Sequence, residues 1–437
     1  MIDWQELSLD QVLQQTRSYL TERLIPFWAE RIYEPQYGGF QTNYNRHGER
    51  TPSDVKTLLC QARSLFTIAF VRRQGLIWAN AEEQLAGGLA FLLDHCRDLE
   101  QGGFYWIVDQ RGNAVDDSKV LYGQSFVIYA LAELALLTGE QQPADEAVRL
   151  FDLMQARCRD DLHGGYVEHF GRDWRPRRAR GDQPLHKSLD VHMHLMEAFT
   201  TLYELTGAPQ HRTALDEVAE LLWTRMVEPT TGAGISMFRT DWTPIANVEL
   251  ETVWGSDRFA GDKSPEITSY GHNIALAWLY LHALDILGRE RQAQSCRAVR
   301  TMRHTLEHGV DWGHGGLWVE GQRSGGPTER NKEFWQQAEA LVGFLDAYLL
   351  TGEAAFLSAF RNVHTFVFGK MINWPIGEWF PLLDEAGNVL WDYAGHEWKI
   401  CYHTVRSMVL TVSKLEKALA PGRRKGRDLT TTPGSGS

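Results

Sequence analysis

Residues 102–139 read GGFYWIVDQRGNAVDDSKVLYGQSFVIYALAELALLTG. The stretch opens on Gly102-Gly103-Phe104 and closes on Thr138-Gly139. Between these marks, Lys119 to Leu137 is apolar nearly all round, the signature of a helix buried on every side. The opening mark recurs as Gly38-Gly39-Phe40, Gly164-Gly165-Tyr166 and Gly315-Gly316-Leu317, and more weakly as Gly232-Ala233-Gly234 and Gly377-Glu378-Trp379. The closing mark recurs as Gly75, Thr206-Gly207, Gly288 and Thr351-Gly352. Three offsets agree, since 75−39, 139−103 and 352−316 all equal 36. Internal periodicity of this kind signals stacked supersecondary units. Six units of two helices, with no linker composition between them, predict an all-α (α/α)6 barrel over residues 1–420 as a single domain. Its inner helices would line a core, and its loops would gather round a pocket at one end. The glycine marks read as short β-hairpin turns at one end, where Gly supplies positive φ. A pair of separate helical domains is the alternative architecture.

Composition narrows the class. The 437 residues are 43% hydrophobic and 23% charged, with a net charge of −12, which argues against a nucleic-acid surface. Five dispersed cysteines, Cys60, Cys96, Cys158, Cys296 and Cys401, form no CxxC pair and suggest reduced thiols in a cytoplasmic protein. The N-terminus lacks the basic and apolar regions of a signal peptide, and no apolar run is read as long enough to span a bilayer. From Pro421 onward Gly, Arg, Lys, Thr and Ser dominate, so 421–437 reads as a flexible tail.

Along the chain, Leu9 to Glu30 reads as a first helix bent or ended near Pro26. Asp54 to Arg73 reads as the next, with Arg63 close to its apolar stripe. A buried guanidinium needs an acceptor, because an unpaired buried charge costs several kcal/mol. A structural salt bridge and a cation facing a polar pocket both answer that need. Tyr122 and Gln124 interrupt the third apolar run near its start, where pocket residues would lie. The basic segment from Glu168 to Leu185, with Arg172, Arg175, Arg177, Arg178 and Arg180, reads as a solvated excursion. It leads into Lys187-Ser188-Leu189-Asp190-Val191-His192-Met193-His194, a helix start. On a helix His192 and His194 diverge by roughly 200°, so at most one faces a given site. His272 and His403 also stand at helix starts, and Trp335 and Glu339, four apart, are neighbours on another.

Taken together, Lys187 to Leu195, Phe334-Trp335-Gln336-Gln337-Ala338-Glu339-Ala340, and Trp398 with His403 give the chain a resemblance to the N-acylglucosamine 2-epimerase superfamily. The closest likeness within it is to cellobiose and mannose 2-epimerases. It spans nearly the whole length, from Gln61-Ala62-Arg63 to Tyr402-His403. The resemblance implies an isomerase that inverts C2 of a reducing sugar without cofactor or metal. It implies His272 and His403 as acid/base groups on opposite faces of C2, His194 in ring opening, and Arg63 at the carbonyl oxygen. Asp190, Trp335, Trp398, Tyr122 and Glu339 are expected to bind the sugar. The expected partner is a small-molecule sugar, with no nucleic acid and no membrane, for a cytoplasmic monomer or homodimer.

The chemistry suits those residue types. Removing the C2 proton of an open-chain aldose gives an enediolate, whose oxygen charge wants a fixed cation. Imidazole titrates near neutrality and suits the proton transfers. Aldose–ketose isomerisation shares the enediolate, and N-acylglucosamine epimerisation is a further alternative. A glycoside hydrolase would rely on paired carboxylates, whereas histidines dominate here. Two departures from the family pattern stand out. Asp190 stands where cellobiose epimerases tend to have Asn, and Ala275 replaces a glutamate usual three residues after the histidine at position 272. Either another acid such as Glu266 or Glu339 covers that role, or the chain is a catalytically impaired sugar-binding protein.

Overall fold

The computed structural model describes residues 7–53, 55–178, 184–246, 264–290 and 294–420. Helix α1 (Leu9–Tyr19) starts from a capping box between Ser8 and Gln11. One π-helical turn, Leu20–Leu24, joins it to α2 (Ile25–Arg31). Pro26 has no amide hydrogen to give the α-ladder, so the bend expected there takes the form of that π turn. There follow α3 (Leu58–Arg73), α4 (Ala81–Phe91), α5 (Leu121–Thr138), α6 (Gln141–Cys158), α7 (Leu189–Thr206) and α8 (Pro209–Arg225). The remaining helices are α9 (Tyr270–Ile286), α10 (Cys296–His308), α11 (Phe334–Thr351), α12 (Ala354–Phe366) and α13 (Cys401–Leu419).

The odd-numbered helices from α3 to α13 pack each against the next, and α13 returns to α3, which closes an inner ring. The helix that follows each inner helix lies outside it, and α1 packs on α13 to complete the sixth pair. This is the expected (α/α)6 barrel. Inner helices have no polar stripe to show: α3 is buried continuously from Leu58 to Val71. For the same reason Leu121–Thr138 is long and apolar enough to cross a membrane by length and composition, contrary to the sequence reading, yet 83% of it is buried inside the barrel.

Helix starts lie later than periodicity suggests. Val55–Thr57 is a strand paired antiparallel with Ile107–Asp109, so α3 begins at Leu58 with the Thr57 hydroxyl accepting from the Cys60 amide. The pattern repeats. Lys119–Val120 pairs with His169–Phe170, His186–Ser188 with Met237–Arg239, Ile267–Ser269 with Glu320–Gln322, and Lys332–Glu333 with Leu382–Leu383. Each of these five units therefore runs strand, inner helix, outer helix, glycine turn, strand. The paired strands sit at the N-terminal ends of the inner helices and hold those ends in place.

The two sequence marks now have causes. At the Thr-Gly mark the threonine hydroxyl bonds back to the helix carbonyl four residues earlier, as Thr138 does to Leu134 at 3.0 Å. The glycine then takes the left-handed conformation that ends the helix, with φ of 73° at Gly139. At the double-glycine mark the second glycine leaves no room for a side chain: a Cβ on Gly103 would lie 2.4 Å from the Trp174 ring.

A third repeated device escaped the sequence reading. Two residues before an inner helix stands a fully buried lysine: Lys56, Lys119, Lys187, Lys332 and Lys399. The fourth unit has Thr268 instead. Each ammonium reaches an acid beside a glycine turn, at 3.3 Å to Glu34, 2.9 Å to Asp98, 2.7 Å to Asp160, 2.7 Å to Asp311 and 3.0 Å to Glu378. The fourth residue of the helix then braces the turn. Gln61, Gln124, His192, Asn273 and Gln337 accept from the backbone amides of Phe40, Phe104, Tyr166, Gly234 and Leu317. Gln124, read as a pocket neighbour, is such a brace. So is His192, whose Nδ1 also bonds the Ser188 carbonyl at 2.8 Å. The basic excursion is anchored rather than merely solvated, because Arg172 pairs with Asp98 at 2.8 Å and Glu100 at 2.9 Å. Arg180 and the 421–437 tail lie outside the described residues.

Candidate active site

Because every inner helix starts at the same level, equivalent positions from different helices meet. The sixth residues are Arg63, Phe126, His194, Ala275, Glu339 and Arg406. The second residues include Tyr122, Asp190, Trp335 and Tyr402, and the third residues include His272 and His403. All the residues expected from the sequence except Trp398 come from these three levels, and Trp398 lies in the loop just before α13.

Arg406 lies at the bottom of the cluster, 2% exposed between two buried glutamates. It pairs with Glu197 and, at 2.7 Å, with Glu339. Burial would raise both carboxyls, but Arg406 and the neighbouring histidines hold them below the usual carboxylate range. Ionised carboxylates only accept, so the imidazoles beside them must donate. His403 Nδ1 donates to Glu339 at 2.8 Å, and His194 Nδ1 to Glu197 at 2.8 Å. Trp278 Nε1 donates to the other Glu339 oxygen at 2.8 Å, and the Tyr402 hydroxyl to Glu197 at 2.9 Å. Glu339 was expected to bind sugar. In this structure its oxygens accept from His403, Arg406 and Trp278, and it holds the His403 ring in one tautomer.

The two histidines are driven apart. Burial, with help from the Arg63 and Arg406 charges, pushes His403 down to about 4 despite Glu339. It is neutral at pH 7 with Nε2 free to accept a proton. His194 is raised, because Asp190 and Glu197 together outweigh its burial. Its Nε2 lies 3.2 Å from Asp190 Oδ1, so each ring nitrogen faces a carboxylate, as an imidazolium requires.

His272 stands higher in the mouth, with its side chain 27% exposed and its Nε2 3.4 Å from the same Asp190 oxygen. Trp335 lies against both His272 and His403, with ring centroids 4.8 Å and 5.9 Å apart. Trp398, Tyr122 and Trp106 form an opposite aromatic wall, with centroids 5.8 Å and 6.1 Å from Trp398. Trp106 was not singled out from the sequence.

Arg63 is 2% exposed and lies over the rings of Phe126 and Tyr402, at 4.4 Å and 4.8 Å. Nη2 donates to the Tyr122 hydroxyl at 2.8 Å and Nη1 to the Trp398 carbonyl at 3.2 Å. Among the described residues no carboxylate pairs with it, and Nε has no acceptor. That excludes the structural salt bridge and leaves a guanidinium held by neutral acceptors and aromatic faces beside the histidines.

Neither acid named as a substitute for the missing glutamate reaches His272. Glu266 pairs with Arg323 at 2.7 Å, and Glu339 is taken by His403. Ala275 is buried at the axis-facing sixth position. Among the described residues two groups outside the pocket bring possible metal ligands together: Glu168, His169 and His186, and Asp311, His314 and Glu385. Both are already occupied. Glu168 accepts from the Ser188 amide and hydroxyl and faces a His186 whose pKa it raises, and Asp311 is held by Lys332.

These buried rings set an acid limit on stability. Burial pushes His403, His192 and His169 down to about 4, and His364 to about 3. The unfolded chain protonates them below about 6.5, while the folded chain does not. Their contribution is therefore present above 6.5 and lost as pH falls through 4. His194 and His186, raised in the fold, act in the opposite sense but are fewer. The melting temperature is expected to fall steadily between pH 6.5 and 4. A profile flat over that window would show that these rings protonate without cost.

The N-acylglucosamine 2-epimerase family matches residues 38–407. The chain is 28% identical over 410 residues to a cellobiose 2-epimerase of Bacteroides fragilis, covering 92% of this chain and 99% of that one. It is 24% identical over 407 residues to the N-acylglucosamine 2-epimerase of Bos taurus, covering 91% and 90%. The solved cellobiose 2-epimerase of Spirochaeta thermophila superposes with a TM-score of 0.81 at 26% identity, covering 94% of this chain and 98% of that one. With the family match running through every unit of the ring, from the first glycine turn to the helix of His403 and Arg406, the chain belongs to the N-acylglucosamine 2-epimerase family.

Proposed function

We propose that this protein is a sugar 2-epimerase that inverts C2 of a reducing aldose, either a free hexose such as glucose or mannose or a β-1,4-linked disaccharide such as cellobiose. The observation that carries the reading is the pair His272 and His403, which flank Trp335 from the helices on either side of it. A sugar carbon between them meets one imidazole on each face. His194, a proton-rich ring held between two carboxylates, suits the acid that protonates the ring oxygen as the hemiacetal opens. The neutral His403 suits the base at C2, and the Arg63 N–H groups that Trp398 and Tyr122 leave unused suit the enediolate oxygen. The aromatic walls suit the apolar faces of a sugar ring.

The test is incubation of the protein with glucose, mannose, cellobiose and N-acetylglucosamine in heavy water, followed by NMR. The expected result is the C2 epimer of a hexose or of cellobiose, with deuterium at C2. A ketose as main product would make it an isomerase, and free glucose from cellobiose would make it a hydrolase. Saturable binding with no exchange at C2 would make it the impaired binder. Each of these three results overturns the epimerase reading.

A further inference from the structure

His272 differs from the other pocket histidines in the acid that attends it. His194 and His403 each have a glutamate fixed on Nδ1 from within the buried cluster. On α9, the sixth position carries only the methyl group of Ala275, where the equivalent residues of four other inner helices are Arg63, His194, Glu339 and Arg406. The carboxylate that approaches His272 comes from the neighbouring helix. Asp190 Oδ1 lies 3.4 Å from His272 Nε2 and 3.2 Å from His194 Nε2, buried and with no donor aligned on it. Catalytic hydrogen bonds are often long or misaligned until substrate is bound.

Inversion by two groups needs them in opposite protonation states, one ready to take a proton and one to give it. His403 is the neutral member, held so by burial and two guanidinium charges. The donor must therefore be His272, and Asp190 Oδ1, 3.4 Å from its Nε2, stands where it can accept one N–H and orient the ring. We propose that Asp190 is the positioning carboxylate of His272, holding it as the proton donor at C2 in place of a side chain at position 275. The inference rests on the epimerase reading above.

The step balances. His403 takes the C2 proton, and the C2–H electron pair moves into the C1–C2 bond while O1 becomes charged beside Arg63. His272 then gives a proton to C2 from the other face, and the C1 carbonyl re-forms. An imidazolium has two N–H groups, so Asp190 can hold one while the other reacts. His403 leaves the cycle protonated and His272 neutral, and exchange with solvent through the open mouth resets both. For the epimer of that substrate the two histidines exchange roles.

The experiment replaces Asp190→Asn in the full chain, which removes the charge and keeps the shape. The turnover number is expected to fall about 10- to 100-fold, the range for carboxylates that act through a histidine, with little change in melting temperature. The groups facing Asp190 and His272 are His194 and Glu197 on α7, Tyr122 on α5 with Arg63 behind it, and Trp335 on α11. All stay in place, so the loss of the anion should fall on kcat and leave KM little changed. Asp190→Asn combined with Ala275→Glu should recover about tenfold of the lost turnover by returning a carboxylate to the axis beside His272. If Asp190→Asn does not fold, Asp190→Ser replaces it in both arms. A variant that loses only KM, with no rescue by Ala275→Glu, makes Asp190 a hydroxyl contact and overturns the proposal. A wild type that inverts none of the four sugars overturns the functional reading, and this inference with it.

Discussion

His403→Asn is expected to lower kcat by about 10²- to 10⁴-fold, the range for a general acid or base, while the melting temperature holds. Asparagine can still donate to Glu339, so the buried carboxylate keeps a partner and Arg406 keeps its place. What it cannot do is accept a proton at the position of Nε2. The effect should appear in kcat and kcat/KM alike, because the interaction lost is one made in the transition state. His272→Asn should show the same loss, since inversion needs a group on each face. Deuterium exchange into C2 separates the two. A variant that still washes the C2 proton out without inverting has lost only the returning acid. Near-normal turnover by either variant would remove that histidine from the chemistry.

How much of this was legible beforehand differs by level. The ring was legible because both of its marks are local: Thr-Gly stops a helix and Gly-Gly makes a turn whatever lies around them. Helix starts were misjudged by two to four residues because the preceding strands are decided by pairing with segments about 50 residues away, as Val55–Thr57 is with Ile107–Asp109. The buried lysines were missed for a related reason. Their carboxylate partners lie one turn of the repeat earlier, and a lone Lys before a helix looks like a surface residue.

Within the pocket, Arg63, Tyr122, Asp190, His194, His272, Trp335, Trp398 and His403 were all named, and the structure brings them together. What could not be read was which side chains face the sugar and which stand behind. Glu339, named as a sugar contact, bonds His403, Arg406 and Trp278, and Glu197 and Arg406, which complete the cluster beneath the histidines, were passed over. A signal was available: both acids and Arg406 are charges on otherwise apolar inner helices, and such charges persist only in company. Glu197 lies three residues after His194, and Arg406 three after His403, spacings that put each pair on one helix face. The missing glutamate at 275 was read as a choice between divergence and inactivation. Asp190 offers a third account, a carboxylate delivered from another helix.

Arg63→Lys is the second large effect expected, a loss of about 10²- to 10³-fold in kcat/KM, the scale for removing one donor at a developing oxyanion. Of its five N–H groups the guanidinium spends one on the Trp398 carbonyl and one on the Tyr122 hydroxyl, and Nε is buried without an acceptor. Those two bonds hold the plane of the fork, and the plane aims the remaining Nη hydrogens. Lysine carries the same charge but is a flexible point charge without that fork. It can satisfy the carbonyl or the hydroxyl, yet it cannot fix a third donor at a set distance and angle. The fold should survive, because Phe126 and Tyr402 will face an ammonium as they face the guanidinium, and no carboxylate among the described residues depends on Arg63. Binding of a substrate analogue with no carbonyl oxygen should weaken far less than turnover falls. If the melting temperature drops sharply while the specific activity of the remaining folded protein is unchanged, Arg63 is a structural cation and the enediolate charge must be met elsewhere.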